Sequence, residues 1–534
     1  MNGDVTANSG GHRLGVALSG GGHRATVWGW GTLLALADAG LNRQVVSIAS
    51  VSGGSIANGV VANAGDYTTM APGEVEDAIR DGMRVAAHDG LFFFGPATNG
   101  YLRRFLVSAG LAVGAVVSLV IALVGAGRRW PLPWWLLTGP VLAALVWAAA
   151  LRRKPASPPL LPGAMQAPLL GAVVAGGSLA VAYLALTTSS GGAALAAAVA
   201  AVAAVTALLV WALLRVFGRR SAVVDEALGR TLLAREGRPA LLAEVDRTVH
   251  HVFCATEIQS GDHVYLTPRL VYSYRAGRGT PGRLPLSTAV QSSACLPGAF
   301  VPRDLATGPF AMTRPWHVGG DEPPGVPPRL VVNDGGVYDN MADQWEQGYD
   351  GRAERLSGLV DLQPRADVLL VANASKAMSW SPLARGSRVA AEVQSLTRTV
   401  DILYDVSTSH RRQALVDRFR ADGRLNGALV HIAQSPFNVP RAFSKVGDDD
   451  QRRRAREALD LLERLEADPQ AWARRARADA GVKTTLAALT APVAADLLEH
   501  AYLLTRVNAY VVLGLGDLPD DLAPFRRARF EALT

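Results

Sequence analysis

RQVVSIASVSGGSIANGVV, Arg43 to Val61, is the stretch on which the reading of the fold turns. Its first half is apolar and β-branched without polar alternation, the pattern of a strand covered on both faces. Its second half reads as a helix, and the chain passes from one to the other at Ser50, Val51, Ser52, Gly53 and Gly54. A strand that turns sharply into a helix at a serine is the arrangement of the nucleophile elbow, G-x-S-x-G. The positions two before and two after the serine must be small there, because the tight turn leaves no room for side chains. Ser50, Ser52 and Gly54 supply that pattern, with serine in place of the first glycine. Ser55, flanked at the same offsets by Gly53 and Ala57, is the rival. Ser52 is preferred because it directly follows the apolar run, where the strand should end.

The segment before it, LSGGGHRATVWGWG from Leu18 to Gly31, explains what such a serine would need. RLGVALS, Arg13 to Ser19, reads as a first strand that delivers Gly20, Gly21 and Gly22 to the end of the sheet, where open α/β sheets place their sites. A serine attacking a carboxylic ester creates a tetrahedral oxyanion, and loss of one preplaced donor to it costs about 2.7 to 4 kcal/mol. The three glycines can offer backbone N–H groups with no side chain in the way, and Gly53, next after the serine, adds a fourth. Arg24 is expected to steady the loop or the anion. Taken alone, the loop would suit a phosphate or dinucleotide equally well. GGGHR lacks the G-K-[ST] ending of a P-loop, however, and Ala25 occupies the last position of a G-x-G-x-x-G fingerprint.

The base is expected far downstream, in RLVVNDGGVYDNMA, Arg329 to Ala342, an apolar strand ending at Asp334 before two glycines. A partly buried carboxylate can accept a hydroxyl proton if desolvation lifts its pKa toward the working pH. By itself D-G-G is an ordinary turn. Histidine is the other candidate base, and the chain has ten. His23 sits within the glycine loop and reads as a surface residue or one behind the site; His250 and His251 precede a strand. H-E-x-x-H is absent, and the two cysteines, Cys254 and Cys295, are too few for a disulfide framework or a cysteine metal site. No metal and no cofactor is assigned.

Taken in order, SGGGHR, SVSGGS and NDGG resemble the glycine-rich, nucleophile and aspartate blocks of the patatin-like phospholipase family. Two further stretches look like family segments, HVFCATEIQSGDHVYLTP from His251 to Pro268 and STAVQSSACLPGAFVP from Ser287 to Pro302. The resemblance implies a three-layer α/β/α catalytic domain with a serine–aspartate dyad instead of a triad. It assigns Ser52 and Asp334 to the dyad and Gly20, Gly21 and Gly22 to the oxyanion hole, with Arg24 in support. It implies a lipid acyl hydrolase of phospholipase A or lysophospholipase type. An acyltransferase, a neutral-lipid lipase or a catalytically silent lipid-binding protein would share these features. Two positions depart from the pattern, Ser50 for glycine and Ala25 for the glycine that often follows the arginine.

Composition adds a second component. About half the residues are apolar (49%), and the mean hydropathy is +0.17. No acidic residue occurs between Asp89 and Asp225. Phe105 to Gly127 and Trp130 to Leu151 are free of charge, and each is long enough to cross roughly 30 Å of hydrocarbon. Further spans are expected from about Ala167 to Leu186 and Ala193 to Leu214. The clusters Arg103–Arg104, Arg152–Lys154 and Arg215–Arg220 fall on one side, which places both flanking parts in the cytoplasm; Arg128 and Arg129 fall on the other. The net charge of +7 is accounted for by such flanking residues, so nucleic acid is not expected as a partner. The expected organisation is a first catalytic part at 1–100, a transmembrane insert of about four helices at 101–220, and a second catalytic part at 221–534. In the last part, strands are expected within Ala366–Ser375 and Gly427–Ser435, and a helix over Ser387–Phe419. A charged helical region follows from Asp448 to Ala480, striped by Leu459, Leu462 and Leu465. The segment Val482 to Val507 is apolar enough to pack beside the site or to touch lipid.

Overall fold

The computed structural model describes residues 11–90, 217–318, 325–375, 388–421 and 426–534, with a few single positions between them. Residues 1–94 and 224–534 form one compact unit and 95–223 a second. The four expected spans lie outside the described residues. Among the described residues, no helix is long and apolar enough to cross a membrane.

The first unit is built on one mixed sheet of ten strands. They are β1 (Leu14–Leu18), β2 (Val45–Ser50), β3 (His250–Glu257), β4 (Asp262–Leu266), β5 (Val271–Ser273), β6 (Gly277–Gly279), β7 (Arg303–Ala306), β8 (Arg329–Asp334), β9 (Val368–Asn373) and β10 (Asn426–His431). The order is β10-β9-β1-β2-β3-β4-β5-β6, parallel as far as β3 and antiparallel beyond it. The central strands β1 and β2 thus come from the amino-terminal part and their neighbours β9 and β3 from the carboxyl-terminal part. β1 and β9 are buried at every position, which is why they read as continuous apolar runs.

Strand β3 sets up the site. Along one edge it pairs with β4. Along the other, its first half pairs in parallel with β2 (Ser47 opposite His250, Ser50 opposite Phe253), and its second half pairs antiparallel with β8 (Val332 opposite Glu257, Asp334 opposite Ala255). β2 and β8 therefore share one edge and run toward each other, meeting at the level of Cys254. Both chains must leave the sheet at that point.

Helices cover both faces of the sheet. On one lie α1 (Gly22–Asp38), α2 (Gly53–Ala64) and α5 (Ala491–Asn508); α3 (Leu286–Ser293) packs against α2. Helix α1 is buried over almost its whole length, as its all-round apolar sequence requires. Its glycines permit close approach: a Cβ on Gly29 would lie 3.0 Å from that of Ala57, and one on Gly31 would lie 2.5 Å from the Leu498 carbonyl oxygen in α5. On the other face Ala17, Ala49, Val252, Leu369 and Val371 pack with Trp345, Leu356 and Leu415, the last from the long helix α4 (Arg388–Ala421). The charged region after Asp448 forms two helices, Asp449–Arg464 and Pro469–Gly481, the second opening at Pro469 behind its N-cap Asp468. The first buries Ala455, Ala458, Leu461 and Leu462, so its inner face is shifted from the expected leucine stripe toward the alanines.

Candidate active site

Ser52 stands between β2 and α2 with φ 53° and ψ −119°, a conformation that costs a non-glycine residue about 1 to 3 kcal/mol and persists only where the surroundings enforce it. The enforcement is visible. Val51 N–H donates to the Leu18 carbonyl (3.0 Å), Ser52 N–H to the Ser293 carbonyl (3.1 Å), and Gly54 N–H to the Val51 carbonyl (2.9 Å). Beneath the turn, Ser50 Oγ donates to the Val252 carbonyl (3.0 Å) and accepts from Ser55 Oγ (3.0 Å) and Asn58 Nδ2 (2.9 Å). Serine in place of the usual glycine is thus the hub of a polar layer under the elbow. Ser55 is fully buried in that layer, its Oγ 2.8 Å from Ser293 Oγ, while Ser52 is the residue at the turn.

The glycine loop lies across the elbow. Gly21 and Gly22 have φ 144° and 61°, and a Cβ on Gly53 would sit 2.0 Å from the Gly22 carbonyl oxygen, so this contact admits only glycine. Gly20 differs from expectation. Its N–H is donated to the Asn340 carbonyl (2.9 Å) and is not free for an anion. The N–H groups of Gly21, Gly22 and Gly53 have no acceptor among the described residues. The donor set expected from sequence is therefore reduced to these three.

Arg24, expected to steady the loop or the anion, is committed to groups outside the glycine loop. Its buried guanidinium donates to the carbonyls of Ala374 (2.8 Å) and Val482 and to Thr484 Oγ1 (3.4 Å). Burial without a carboxylate lowers its pKa to about 10, which leaves it charged at neutral pH. Of the two expectations for His23, a surface residue or one behind the site, burial fits the second. His23 N–H donates to the Thr485 carbonyl (2.9 Å), and its Nδ1 lies 2.9 Å from the Ala487 carbonyl. Burial lowers its pKa to about 4, so it is neutral. The start of the apolar carboxyl-terminal segment, Val482 to Ala487, is thus a strap over the oxyanion loop.

Asp334, the last residue of β8, is buried. Its N–H donates to the Cys295 carbonyl (3.0 Å), and its Oδ1 accepts from Gly336 N–H (2.8 Å). Burial raises its pKa to about 6, against the opposing effects of Gly336 N–H and the adjacent Ser52 hydroxyl. Oδ2 is buried and has no hydrogen-bond partner among the described residues. A Cβ on Gly335 would meet the Cys254 carbonyl oxygen at 2.2 Å, which explains the glycine after the aspartate. The head-on approach of β2 and β8 thus places a hydroxyl beside a carboxylate that is half-ionised near pH 6, next to three free amide donors.

Three contributors were not singled out from sequence. Asn340 accepts from Gly20, donates from Nδ2 to Ser375 Oγ (3.0 Å) and ties the glycine loop to the aspartate turn. Ser293 accepts from Ser52 N–H and donates to the Cys254 carbonyl (2.5 Å). Both lie inside quoted motif blocks, so a search for polar residues beside the motifs would have found them. Tyr404, on α4, reaches the aspartate turn, its Cε1 3.3 Å from where a Cβ on Gly336 would be. Nothing in its local sequence marks it. Among the described residues no group of three His, Cys, Asp or Glu is placed to hold a metal.

No protein-family model and no curated protein matches the chain. Ten chains of solved structures do, among them the crystal structure of VipD from Legionella pneumophila, with 12% sequence identity over 97% of this chain and 90% of that one, at a TM-score of 0.25. A superposition that loose carries no argument about fold or activity.

Proposed function

We propose that the protein is a serine hydrolase that cleaves carboxylic esters of lipids through a Ser52–Asp334 dyad. The observation that carries this reading is the convergence of the strained Ser52 turn and the buried Asp334 carboxylate at the meeting point of β2 and β8. In the first step Asp334 takes the hydroxyl proton as Ser52 Oγ attacks the ester carbonyl carbon, and the N–H groups of Gly21, Gly22 and Gly53 receive the oxyanion. Collapse of the tetrahedral intermediate expels the alcohol, which takes the proton from Asp334 and leaves an acyl-enzyme. Water, deprotonated by the same carboxylate, then releases the fatty acid.

A lipid substrate is supported by exposed apolar residues close in sequence to the site. Leu296, Val337 and Tyr338 are exposed large hydrophobic residues, the first next to Cys295 and the other two within four residues of Asp334. It is also supported by the resemblance of the three motif blocks to patatin-like phospholipases. The charge-free segments between 105 and 214 complete the reading as an anchor that keeps a cytoplasmic catalytic domain at its substrate, raising the effective concentration of lipid without a new contact.

The test is labelling with a fluorophosphonate followed by fatty-acid release from defined phospholipid and lysophospholipid vesicles. Wild type should be labelled at Ser52, and Ser52→Ala should lose both labelling and release, by at least about 10³-fold. Labelling of a different residue, or equal release by both proteins, would refute the dyad. Transfer of the acyl group to an added alcohol in preference to water would make the enzyme an acyltransferase with the same site.

A further inference from the structure

Two buried polar atoms at the site are left without partners among the described residues, Asp334 Oδ2 and Tyr404 Oη. A buried polar group without a partner costs about 1 to 3 kcal/mol, and these two belong to residues that meet at one glycine, Gly336. Tyr404 belongs to the inner stripe of α4. Thr408 and Leu415, one and three turns further along, are buried, and Arg411 between them pairs with the buried Asp339 (3.3 Å) and Asp343 (3.2 Å). Ile402 and Val406, on the opposite side of the helix, are exposed. The stripe presents the phenol to the turn after β8, with Cε1 against Gly336, whose N–H already holds Asp334 Oδ1. The charge of Asp334 acts on the phenol and, with burial, raises its pKa far above the usual value, so it remains a protonated donor at any pH the enzyme would meet.

We infer that Tyr404 is a positioning residue for the dyad base, its hydroxyl supplying, through one bridging water, a hydrogen bond to Asp334 Oδ2 when the carboxylate is ionised. The inference rests on the dyad reading above. The groups acting on Asp334 are Gly336 N–H and the Ser52 hydroxyl, and the thiol of Cys254, beneath the turn on β3, is kept protonated by burial. Among the described side chains of α4, Tyr404 is the donor that reaches the aspartate turn. A donor to Oδ2 favours the carboxylate over the acid and so extends base function to lower pH.

The experiment follows the rate of fluorophosphonate labelling at Ser52 from pH 5 to 9 in wild type, Tyr404→Phe and Thr408→Val. Loss of the phenol hydroxyl should move the acid limb up by about one pH unit, making Tyr404→Phe roughly fivefold slower than wild type near pH 6 and within about twofold near pH 8.5. Thr408→Val tests packing of the same stripe and should leave the limb in place. A Tyr404→Phe limb that coincides with wild type overturns the inference, as does an equal shift in Thr408→Val. Should Tyr404→Phe prove unfolded by its melting curve, Tyr404→His, which restores a donor on a shorter ring, is measured instead and must return the limb to within about half a unit of wild type. Failure of wild type to label refutes the dyad itself and is distinguishable from either outcome.

Discussion

At the residue scale, burial works against the charge that the proposed role of Asp334 requires. An unfolded aspartate titrates near 3.8, and burial in the fold raises Asp334 to about 6. Between those values the folded chain holds a proton that the unfolded chain has released. The stabilising effect of this group is therefore full below about pH 4, falls as pH rises to about 6, and stays lost above it. At about 1.4 kcal/mol per pH unit, the ionised carboxylate costs at most roughly 3 kcal/mol at pH 7. Asp334→Asn keeps an acceptor for Gly336 N–H and removes that charge. It should be inactive yet melt at a higher temperature than wild type at pH 7, with the difference gone at pH 4, as scanning calorimetry would show. In wild type, kcat/KM should fall as the pH drops through about 6 and be level above it. His23, neutral and committed to the Ala487 carbonyl, contributes no second limb there.

At the scale of elements, the site is a contact between two loops that each cap a strand. The Gly22 carbonyl and the Cα of Gly53 touch, and Thr26 Oγ1 bonds the Gly53 carbonyl (2.8 Å), so α1 and α2 start from one shared point. Gly53→Ala would place a methyl 2.0 Å from a backbone oxygen that cannot rotate away. The expected result is a loss of about 1 to 3 kcal/mol in denaturant unfolding and a fall in kcat of at least about 10²-fold, because two of the three free donors are displaced together. The strap Val482–Ala487 matters in the same way: it orders the glycine loop from the side opposite the elbow, through Arg24, His23 and Gly22.

At the scale of the whole molecule, the sheet cannot be completed by either part of the sequence alone. β1 and β2 fill the space between β9 and β3, so residues 224–534 without the amino-terminal part would expose two unpaired edges at the centre of the sheet. That fragment should lack a cooperative melt and aggregate, and co-expression with residues 1–94 should restore fluorophosphonate labelling; a cooperative melt of the fragment alone would contradict this topology. The expected break near residues 100 and 220 follows composition, whereas the need to assemble the sheet across it follows from strand order. Whatever the intervening 95–223 unit does, it must allow the chain to return to β3 beside β2.

The residues themselves determined much of this. Continuous apolar runs marked β1, β2 and β9 because strands covered on both faces have no polar side to show, and small residues at 50, 52 and 54 marked the turn because nothing larger fits. That Ser52, and not Ser55, stands at the turn was legible from the end of that run. Local pattern could not reveal which edge of β3 each strand takes, and this decision alone brings Ser52 and Asp334 together, since pairing depends on hydrogen bonds between positions about 200 residues apart for β2 and about 80 apart for β8. The same reason hid the commitment of the Gly20 N–H to Asn340, the burial of His23 under a distant strap and the approach of Tyr404 to Gly336. Each is a contact across the fold whose partners carry no mark of one another in the chain.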